Sequence, residues 1–271
     1  MKLSILIAAY KAQETLPKLV NKLLEQDTEN QTEIVISIDD NFDYQNILTK
    51  DSRVVYAETG FKTGPGIARN RALEKSTGNY IVLMDADDDI SENYLSLIFE
   101  NLKKYDSFAL KTIYKKDGLV VRKFEDLKLN YDNLSSFYGS IHTVAPKEYT
   151  LKYLNVVAED VLATLNVINK NNGSIPVIDA GYIINLHNNS YCSQNGAEFS
   201  NMYKSCIYNS FEIAKDIGNE NISLHIKKLY NERLEMSLKF DKEISANKNA
   251  DYHQFIIKNN KKSSNLFGRW Y

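Results

Sequence analysis

The chain has 271 residues, of which 43% are hydrophobic and 25% charged, the ordinary mixture of a folded globular protein rather than of a disordered or fibrous one. Its 33 basic and 35 acidic side chains give a net charge of −2, which excludes a global positive field for attracting nucleic acid. No stretch reaches the roughly 18 apolar residues of a membrane-spanning helix, so we expect any membrane contact to be peripheral. The two cysteines lack metal-ligand spacing, which indicates a reducing compartment and a cytoplasmic protein.

Two hydrophobic periodicities alternate along residues 1–104. The apolar run Leu3–Ala9 predicts a strand, and apolar positions at helical spacing from Leu16 to Leu24 predict the helix after it. The alternation continues with strands predicted at 33–38, 53–56 and 79–84 and helices at 66–76 and 91–104, the last with Ser91 as N-cap and Leu95, Ile98 and Leu102 facing the core. Strands joined by crossover helices pair in parallel, so we predict an α/β fold with a mostly parallel sheet flanked by helices.

The pattern changes after residue 106. Asp117-Gly118 between apolar runs at 107–114 and 119–124 predicts a β-hairpin. A helix is predicted at 157–169 and an extended segment at 175–186, broken at Ala180-Gly181. Two further helices are predicted, the first with an apolar stripe from Phe199 to Phe211 and the second over 222–244. We therefore divide the chain into residues 1–195 and a C-terminal helical extension at 196–271.

Polar residues follow three of the predicted parallel strands. Ala9-Tyr10, Asp39-Asp40 and the acidic run 85–89 would meet in one crevice, because ligands bind outside the carboxyl ends of such strands. Four carboxylates within five residues repel one another unless they are solvated, partly protonated or neutralised by a cation. In an extended chain Asp85 and Asp87 point the same way with the small Ala86 between them, which favours Mg²⁺ or Mn²⁺.

The acidic run has two other possible interpretations. It also suits a solvated loop before the helix that starts near Ser91, since acidic groups favour helix N-termini. An EF-hand is excluded, because Ile90 and Ser96 stand where that loop needs glycine and glutamate.

The segment 64–71, with sequence GPGIARNR, predicts a phosphate site. A glycine-rich turn opens a helix there, and Arg69 and Arg71 offer planar forks for phosphate oxygens. The segment departs from a dinucleotide fingerprint, because Arg69 replaces the third glycine and the motif follows the third strand. This disfavours an oxidoreductase; surface ion pairing is the alternative for both arginines.

Five blocks of the sequence together resemble a known family. In order they are LSILIAAY at 3–10, ISIDD at 36–40, GIARNRAL at 66–73, NYIVLMDADD at 79–88 and AED at 158–160. They resemble the signature blocks of inverting family 2 glycosyltransferases with the GT-A (Rossmann-like) fold, over roughly residues 1–190. The resemblance implies that residues 1–195 form a catalytic domain that binds a nucleotide-sugar.

The resemblance also implies roles for single residues. Ala8 and Tyr10 would border the nucleotide, Asp39 would bond the uracil or other base, and Arg71 would approach the diphosphate. In the acidic block Asp87 would be the main metal ligand, with Asp85 and Ala86 near the ribose and sugar. Asp160, beside Glu159, would be the catalytic base, and His187 would be a further metal ligand. His142 would lie on the acceptor side.

From these roles we predict an inverting, metal-dependent glycosyltransferase of a bacterium. A sugar would move from a nucleoside diphosphate sugar, with UDP-sugar favoured, to a hydroxyl of a capsule, O-antigen or other lipid-linked glycan, with Asp160 as general base. The alternatives are a metal-dependent sugar nucleotidyltransferase and a non-catalytic module that binds nucleotide-sugars. Basic and aromatic residues interleaved over 252–271 predict a peripheral contact with the inner face of the plasma membrane, against a solvated tail.

Overall fold

The computed structural model describes residues 1–187 and 196–259, apart from residues 28, 30, 59, 151 and 249. In this part of the chain the strands are β1 (Leu3–Ala9), β2 (Thr32–Ile38), β3 (Val54–Glu58), β4 (Tyr80–Asp85), β5 (Asp89–Ile90), β6 (Phe108–Lys116), β7 (Leu119–Lys123), β8 (Lys128–Asn130), β9 (Thr143–Pro146) and β10 (Ser174–Asn185). The helices are α1 (Leu16–Gln26), α2 (Pro65–Lys75), α3 (Tyr94–Leu102), α4 (Tyr131–Phe137), α5 (Glu159–Lys170), α6 (Phe199–Tyr208), α7 (Ser210–Asp216), α8 (Ser223–Ala246) and α9 (Tyr252–Asn259).

The strands form one mixed sheet whose order is β3-β2-β1-β4-β9-β6-β10-β5, with β7 on β6 and β8 on β10. The first four strands in this order are parallel to one another. β9 runs antiparallel to both β4 and β6, and β10 runs parallel to β6. Therefore β1, β2, β4, β6 and β10 all end at the same edge of the sheet, which we call the site edge. The prediction of an α/β fold with a mostly parallel sheet flanked by helices agrees with this topology.

The central strands are apolar along their whole length because both faces of the sheet are covered. On β1, Ile5 and Ile7 pack in the cluster that includes α1 and α3, whereas Leu6 points to the other face and packs with Ala72 of α2. Alternate side chains of a strand point to opposite faces, so one short strand contributes to two cores.

Most predicted elements lie within two or three residues of the observed ones, but the N-cap at Ser91 is wrong. α3 begins at Tyr94. The Ser91 N–H donates to the Gly181 carbonyl (2.9 Å) and its hydroxyl accepts from the Gly181 N–H (3.1 Å). The N–H and the hydroxyl of Ser91 are therefore both hydrogen-bonded to β10, which runs beside this residue in the sheet. Leu95, Ile98 and Leu102 are buried, as predicted.

The hairpin and the broken strand are confirmed. Asp117 and Gly118 join β6 to β7 with φ values of 51° and 80°, as a type I′ turn requires. Along β10 the pairing with β6 shifts register between Ile178 and Gly181, next to the predicted break.

The C-terminal helices pack on the second half of the sheet. Phe199, Leu229 and Phe240 share a hydrophobic cluster with Leu165 and Ile175. The predicted stripe is wrong at its end, because the helix breaks between Tyr208 and Ser210, and Phe211 is 53% exposed.

The expected membrane tail is described only to residue 259. Within that part Tyr252 and Phe255 are buried, and their rings lie 5.1 and 5.3 Å from that of Phe240. These two aromatic residues are core residues rather than the membrane-facing ones that were expected. Residues 260–271 lie outside the described residues. None of the helices in the described ranges has the length and apolar character that crossing a bilayer requires.

Candidate functional site

The loops after β1 and β2 are joined at the site edge. The Asp39 N–H donates to the Ala9 carbonyl (2.8 Å), and Asp40 accepts from the Lys11 N–H (2.6 Å). Tyr10 projects from this junction, 40% exposed, with the Lys62 ammonium 4.4 Å from its ring centroid. The loops after β1 and β2 therefore meet at the site edge, as predicted, and Tyr10 presents an exposed aromatic ring there.

Asp39 is buried and surrounded by donors. It accepts from the N–H groups of Thr63 (3.0 Å) and Gly64 (2.8 Å), from the Thr63 hydroxyl and from Arg71 (2.9 Å). Burial raises the pKa of this carboxyl, but the hydrogen bonds from Thr63, Arg71 and Gly64 outweigh it, so the pKa lies below its usual value. Gly64 has a φ of 96°, which its lack of a side chain permits. The anion held by the glycine-rich turn is thus a carboxylate of the protein itself.

Arg71 lies beside Asp39. Besides that ion pair, its guanidinium donates to the hydroxyls of Ser37 (3.1 Å) and Thr63 (2.7 Å). These contacts place Arg71 under the loop after β2, and its approach to a diphosphate stays a prediction.

Arg69 connects the acidic block with the start of α5. It is 6% exposed and donates to Asp85 (2.7 Å) and to Glu159. Burial lowers its pKa, but the charges of Asp85, Glu159 and Asp160 outweigh burial and hold the pKa well above the usual value. The alternative of ion pairing is therefore correct for this residue in kind, but the pairs are buried rather than at the surface. In the structure Arg69 bridges two carboxylates, and its contact with phosphate stays a prediction.

Glu159 and Asp160 open α5. Ala158 precedes them in the left-handed region (φ 59°), which turns the chain sharply before the helix. Glu159 is buried, and burial, with Asp160 and Asp85 adding repulsion against the attraction of Arg69, raises its pKa to about 7. Asp160 is partly exposed and lines a cavity of about 20 Å³ together with His142, large enough for one water molecule.

The acidic block forms a turn and not the expected extended chain. The Asp88 N–H donates to the Asp85 carbonyl (3.2 Å), and Ala86 is buried within the turn. Asp85 and Asp87 are therefore not the pair of parallel side chains that an extended chain would give, and each contacts a different partner. The four carboxylates pair separately: Asp85 with Arg69, Asp87 with His187 (2.8 Å), Asp88 with the Tyr182 hydroxyl (2.6 Å) and Asp89 with Lys22 (2.8 Å).

The residues around this turn fit a divalent cation. Ligand atoms of Asp85, Asp88 and His142 lie within 4.8 Å of one another. His142 is 3% exposed, and its Nε2 has no hydrogen-bond partner among the described residues. Nearer the surface, His187 Nε2 lies against Asp87 Oδ2. Carboxylates with imidazole form a donor set that such ions accept.

Two residues of this region carried little or no signal in the sequence. For His142 the resemblance predicts only a position on the acceptor side; in the structure its ring stacks on Tyr182 at 4.1 Å between centroids. Tyr182 also accepts from the Asp85 N–H (2.9 Å), so it fixes both ends of the turn. Nothing distinguishes Tyr182 from other inward-facing strand residues before the sheet is assembled. Of the other predicted residues, Ala8 lies at the end of β1, opposite Asp85 of β4.

Comparison with solved structures identifies the fold. S. aureus TarS 1–349, crystallised in complex with UDP-GlcNAc, superposes with a TM-score of 0.69 at 20% identity, over 91% of this chain and 76% of that one. This likeness confirms the GT-A fold with its C-terminal helical region.

Curated relatives are bacterial glycosyltransferases. The Escherichia coli UDP-Glc:alpha-D-GlcNAc-diphosphoundecaprenol beta-1,3-glucosyltransferase WfaP is 29% identical over 79% of this chain and 86% of its own. The Campylobacter jejuni GalNAc(5)-diNAcBac-PP-undecaprenol beta-1,3-glucosyltransferase is 24% identical over 54% of this chain, which spans about half (52%) of that relative.

A family model described as Glycosyl transferase family 2 matches residues 4–148, which include the ends of β1, β2 and β4 and the turn of the acidic block. That match covers more than half of the chain and confirms the family that the five sequence blocks resemble. The chain belongs to glycosyl transferase family 2.

Proposed function

We propose that this protein transfers a sugar from a UDP-sugar to a hydroxyl of a lipid-linked bacterial glycan, with inversion at the anomeric carbon. The observation that carries the proposal is the bridge made by Arg69 between Asp85 and Glu159. It holds the turn that follows β4 beside the carboxylates that begin α5, so donor and acceptor chemistry share one crevice. The names of the relatives, which specify diphosphoundecaprenol acceptors and UDP-glucose, support the substrate classes.

In this proposal the nucleotide lies across the ends of β1 and β2. Tyr10 offers an exposed ring for stacking, and the fixed carboxylate of Asp39 accepts an N–H from the base. Arg71 keeps that carboxylate ionised and oriented through the 2.9 Å ion pair. Ala8 and Asp85 border the ribose and sugar, and the small side chain of Ala86, buried within the turn, leaves room beside them.

We assign the divalent ion, Mn²⁺ or Mg²⁺, to Asp87 and His187. Both side chains are partly exposed at the crevice, and their ligand atoms already converge at 2.8 Å. The buried cluster of Asp85, Asp88 and His142 is less suitable for the ion. The guanidinium of Arg69 is already paired with Asp85, and burial, together with the charges of Asp85 and Asp87, raises the pKa of Asp88 well above its usual value. When bound, the ion neutralises charge that develops on the departing diphosphate.

Asp160 is the proposed general base. The acceptor oxygen forms a bond to the anomeric carbon, the bond to the diphosphate oxygen breaks, and the hydroxyl proton moves to the Asp160 carboxylate. Glu159 contacts Arg69 and holds the N-terminus of α5 in position, so that Asp160 faces the crevice. A lipid-linked acceptor is presented at a bilayer, so peripheral membrane contact belongs to the same proposal.

The test is a screen of UDP-sugars for slow hydrolysis, with and without Mn²⁺, combined with thermal unfolding. At UDP near 100 Kd the free energy of unfolding should rise by about 2.7 kcal/mol, with metal present only. Asp87→Ala should abolish this rise, whereas Asp179→Ala, an exposed carboxylate on β10, should keep it.

Other results of the same screen would contradict the proposal. An equal shift with NAD and no metal would indicate an oxidoreductase. Release of pyrophosphate from a nucleoside triphosphate and a sugar phosphate would indicate the nucleotidyltransferase alternative. Binding of a UDP-sugar with neither transfer to an acceptor nor hydrolysis would indicate the third alternative, a non-catalytic module that binds nucleotide-sugars.

A further inference from the structure

The β6–β7 hairpin ends in a protrusion with exposed apolar side chains. We call residues 115–120 the hairpin tip. Leu119 is 72% exposed and Val120 is 54% exposed. The type I′ turn at Asp117 and Gly118 holds both side chains on a preformed two-stranded ribbon, so presenting them costs no ordering of a loop.

Each face of the hairpin tip combines an apolar side chain with a lysine. Lys116 lies opposite Leu119, and Lys115 lies opposite Val120. Residues directly opposite in an antiparallel pair share a face of the ribbon. Neither lysine has an ion-pair partner within the described ranges, whereas Lys111 and Lys123, farther down the strands, are paired with Asp179 and Glu125.

The hairpin tip projects from the edge of the sheet that carries the candidate site. The Lys115 carbonyl accepts from the Leu186 N–H (2.7 Å), one residue before His187. His187 in turn lies 2.8 Å from Asp87. β6 is parallel to β4, so the ribbon extends in the direction in which β4 delivers the acidic turn to the crevice.

We propose that the hairpin tip docks on an anionic lipid bilayer, with Leu119 and Val120 entering the headgroup layer and Lys115 and Lys116 contacting anionic headgroups. Lysine stems lie along apolar surface while their ammonium groups stay among the headgroups, which is the arrangement that the two faces of the tip offer. Docking in this orientation turns the site edge toward the membrane. A sugar acceptor carried on a lipid diphosphate would then reach the crevice without leaving the bilayer.

The inference rests on the proposed lipid-linked acceptor, but its test needs no substrate. Flotation of the full chain with phosphatidylglycerol-containing vesicles is compared with phosphatidylcholine vesicles, at low and high salt. We expect binding to the anionic vesicles that falls as salt rises, because the lysine contribution is screened. Equal association with both kinds of vesicle, or with neither, overturns the proposal.

Two pairs of variants locate the contact. Lys115→Gln with Lys116→Gln should weaken vesicle binding by about fivefold for each lysine, and Leu119→Ser with Val120→Thr by about tenfold. The matched controls are Lys50→Gln with Lys103→Gln, on loops that lead into β3 and β6 at the opposite edge, and Leu224→Ser, 77% exposed on α8. The controls should bind vesicles like the wild type.

Three outcomes overturn the proposal in favour of another surface or occupant. Unchanged vesicle binding by both hairpin variants is the first. Loss of binding only on replacing Lys258, Lys261 and Lys262 would assign the contact to the C-terminal tail. Dissociation of a dimer by Leu119→Ser and Val120→Thr, seen in sedimentation velocity without any effect on vesicles, would identify a second copy of the chain as the occupant.

Activity assays separate this inference from the proposed function. The hairpin variants should hydrolyse the UDP-sugar at the wild-type rate and use a water-soluble acceptor normally, while transfer to an acceptor embedded in vesicles falls with binding. If vesicle binding follows the prediction but no variant, nor the wild type, transfers sugar, the membrane contact holds and the proposed function fails.

Discussion

Asp160 and Glu159 are adjacent in sequence but differ in environment. Glu159 is buried against Arg69, and burial raises its pKa to about 7. Asp160 is partly exposed and lines the small cavity next to His142. The proposed roles of the two residues depend on this difference in access, because a carboxylate must be accessible to the acceptor hydroxyl in order to accept its proton.

Replacing Asp160 by asparagine tests that assignment. Asp160→Asn keeps the size of the side chain and removes its basicity, so transfer should fall by about 10²–10⁴-fold while UDP binding is retained. The measurements are kcat with a lipid-linked acceptor and the Kd for UDP with Mn²⁺. Asp179→Asn serves as the control, since this carboxylate is exposed and paired with Lys111. Full turnover by Asp160→Asn would show that another group is the base.

At the scale of elements, a buried carboxylate joins three strands at the edge opposite the site. Glu33 of β2 accepts from Lys2 (2.6 Å) and Ser4 (2.6 Å) on the β1 side and from the Thr77 hydroxyl (2.6 Å) before β4. Burial raises its pKa, but these hydrogen bonds outweigh burial and lower the pKa to about 2. Glu33 thereby fixes the alignment of the three strands whose far ends lie at the candidate site.

This lowered pKa predicts a specific loss of stability in acid. A carboxyl whose pKa is lower in the folded than in the unfolded chain stabilises the fold above about pH 4.5 and loses that contribution as pH falls toward 2. We expect Glu33→Gln to be less stable than the wild type by about 3 kcal/mol at neutral pH and by much less near pH 2. Urea unfolding across this range measures the difference.

The control for this experiment is Glu74→Gln, which changes an exposed glutamate on α2. It should follow the wild-type profile. A constant difference between wild type and Glu33→Gln at all pH values would show that Glu33 acts through packing and not through its charge.

At the scale of the whole molecule, the C-terminal helices complete a core that the sheet cannot close alone. Phe240 of α8 packs against Tyr252 and Phe255 and belongs to the cluster that includes Leu165 of α5 and Ile175 of β10. One continuous cluster across residue 195 indicates that the two parts unfold together, although the division of the chain at that residue stays a prediction.

Phe240→Ala should therefore destabilise the whole chain. Removing a buried phenylalanine costs about 3–5 kcal/mol, and we expect one urea transition, shifted equally in far- and near-ultraviolet circular dichroism. Leu238→Ala on the same helix, 39% exposed, should cost much less. Two separate transitions, with only one of them shifted, would show that residues 196–259 fold as an independent unit.

Local patterns sufficed for features that depend on neighbouring residues along the chain. The apolar run of β1 requires a strand covered on both faces, and Asp117-Gly118 requires a tight turn. The five sequence blocks, taken in their order, were enough to predict the family, because their spacing reflects the strand ends that must meet at one edge of the sheet.

Tertiary structure alone decided which charges pair. Arg69 meets Glu159 across 90 residues of sequence, and His187 meets Asp87 across 100. These partners depend on where α2, α5 and β10 pack around the ends of the sheet, and no local periodicity encodes that placement. Tertiary packing also decided the burial of Phe255. The local composition predicts that this side chain contacts a membrane, but the structure buries it among the C-terminal helices. The sequence by itself thus determines the chemistry that each side chain offers. Which groups pair electrostatically is decided by the assembled fold, because Coulomb and desolvation energies depend on distance and burial.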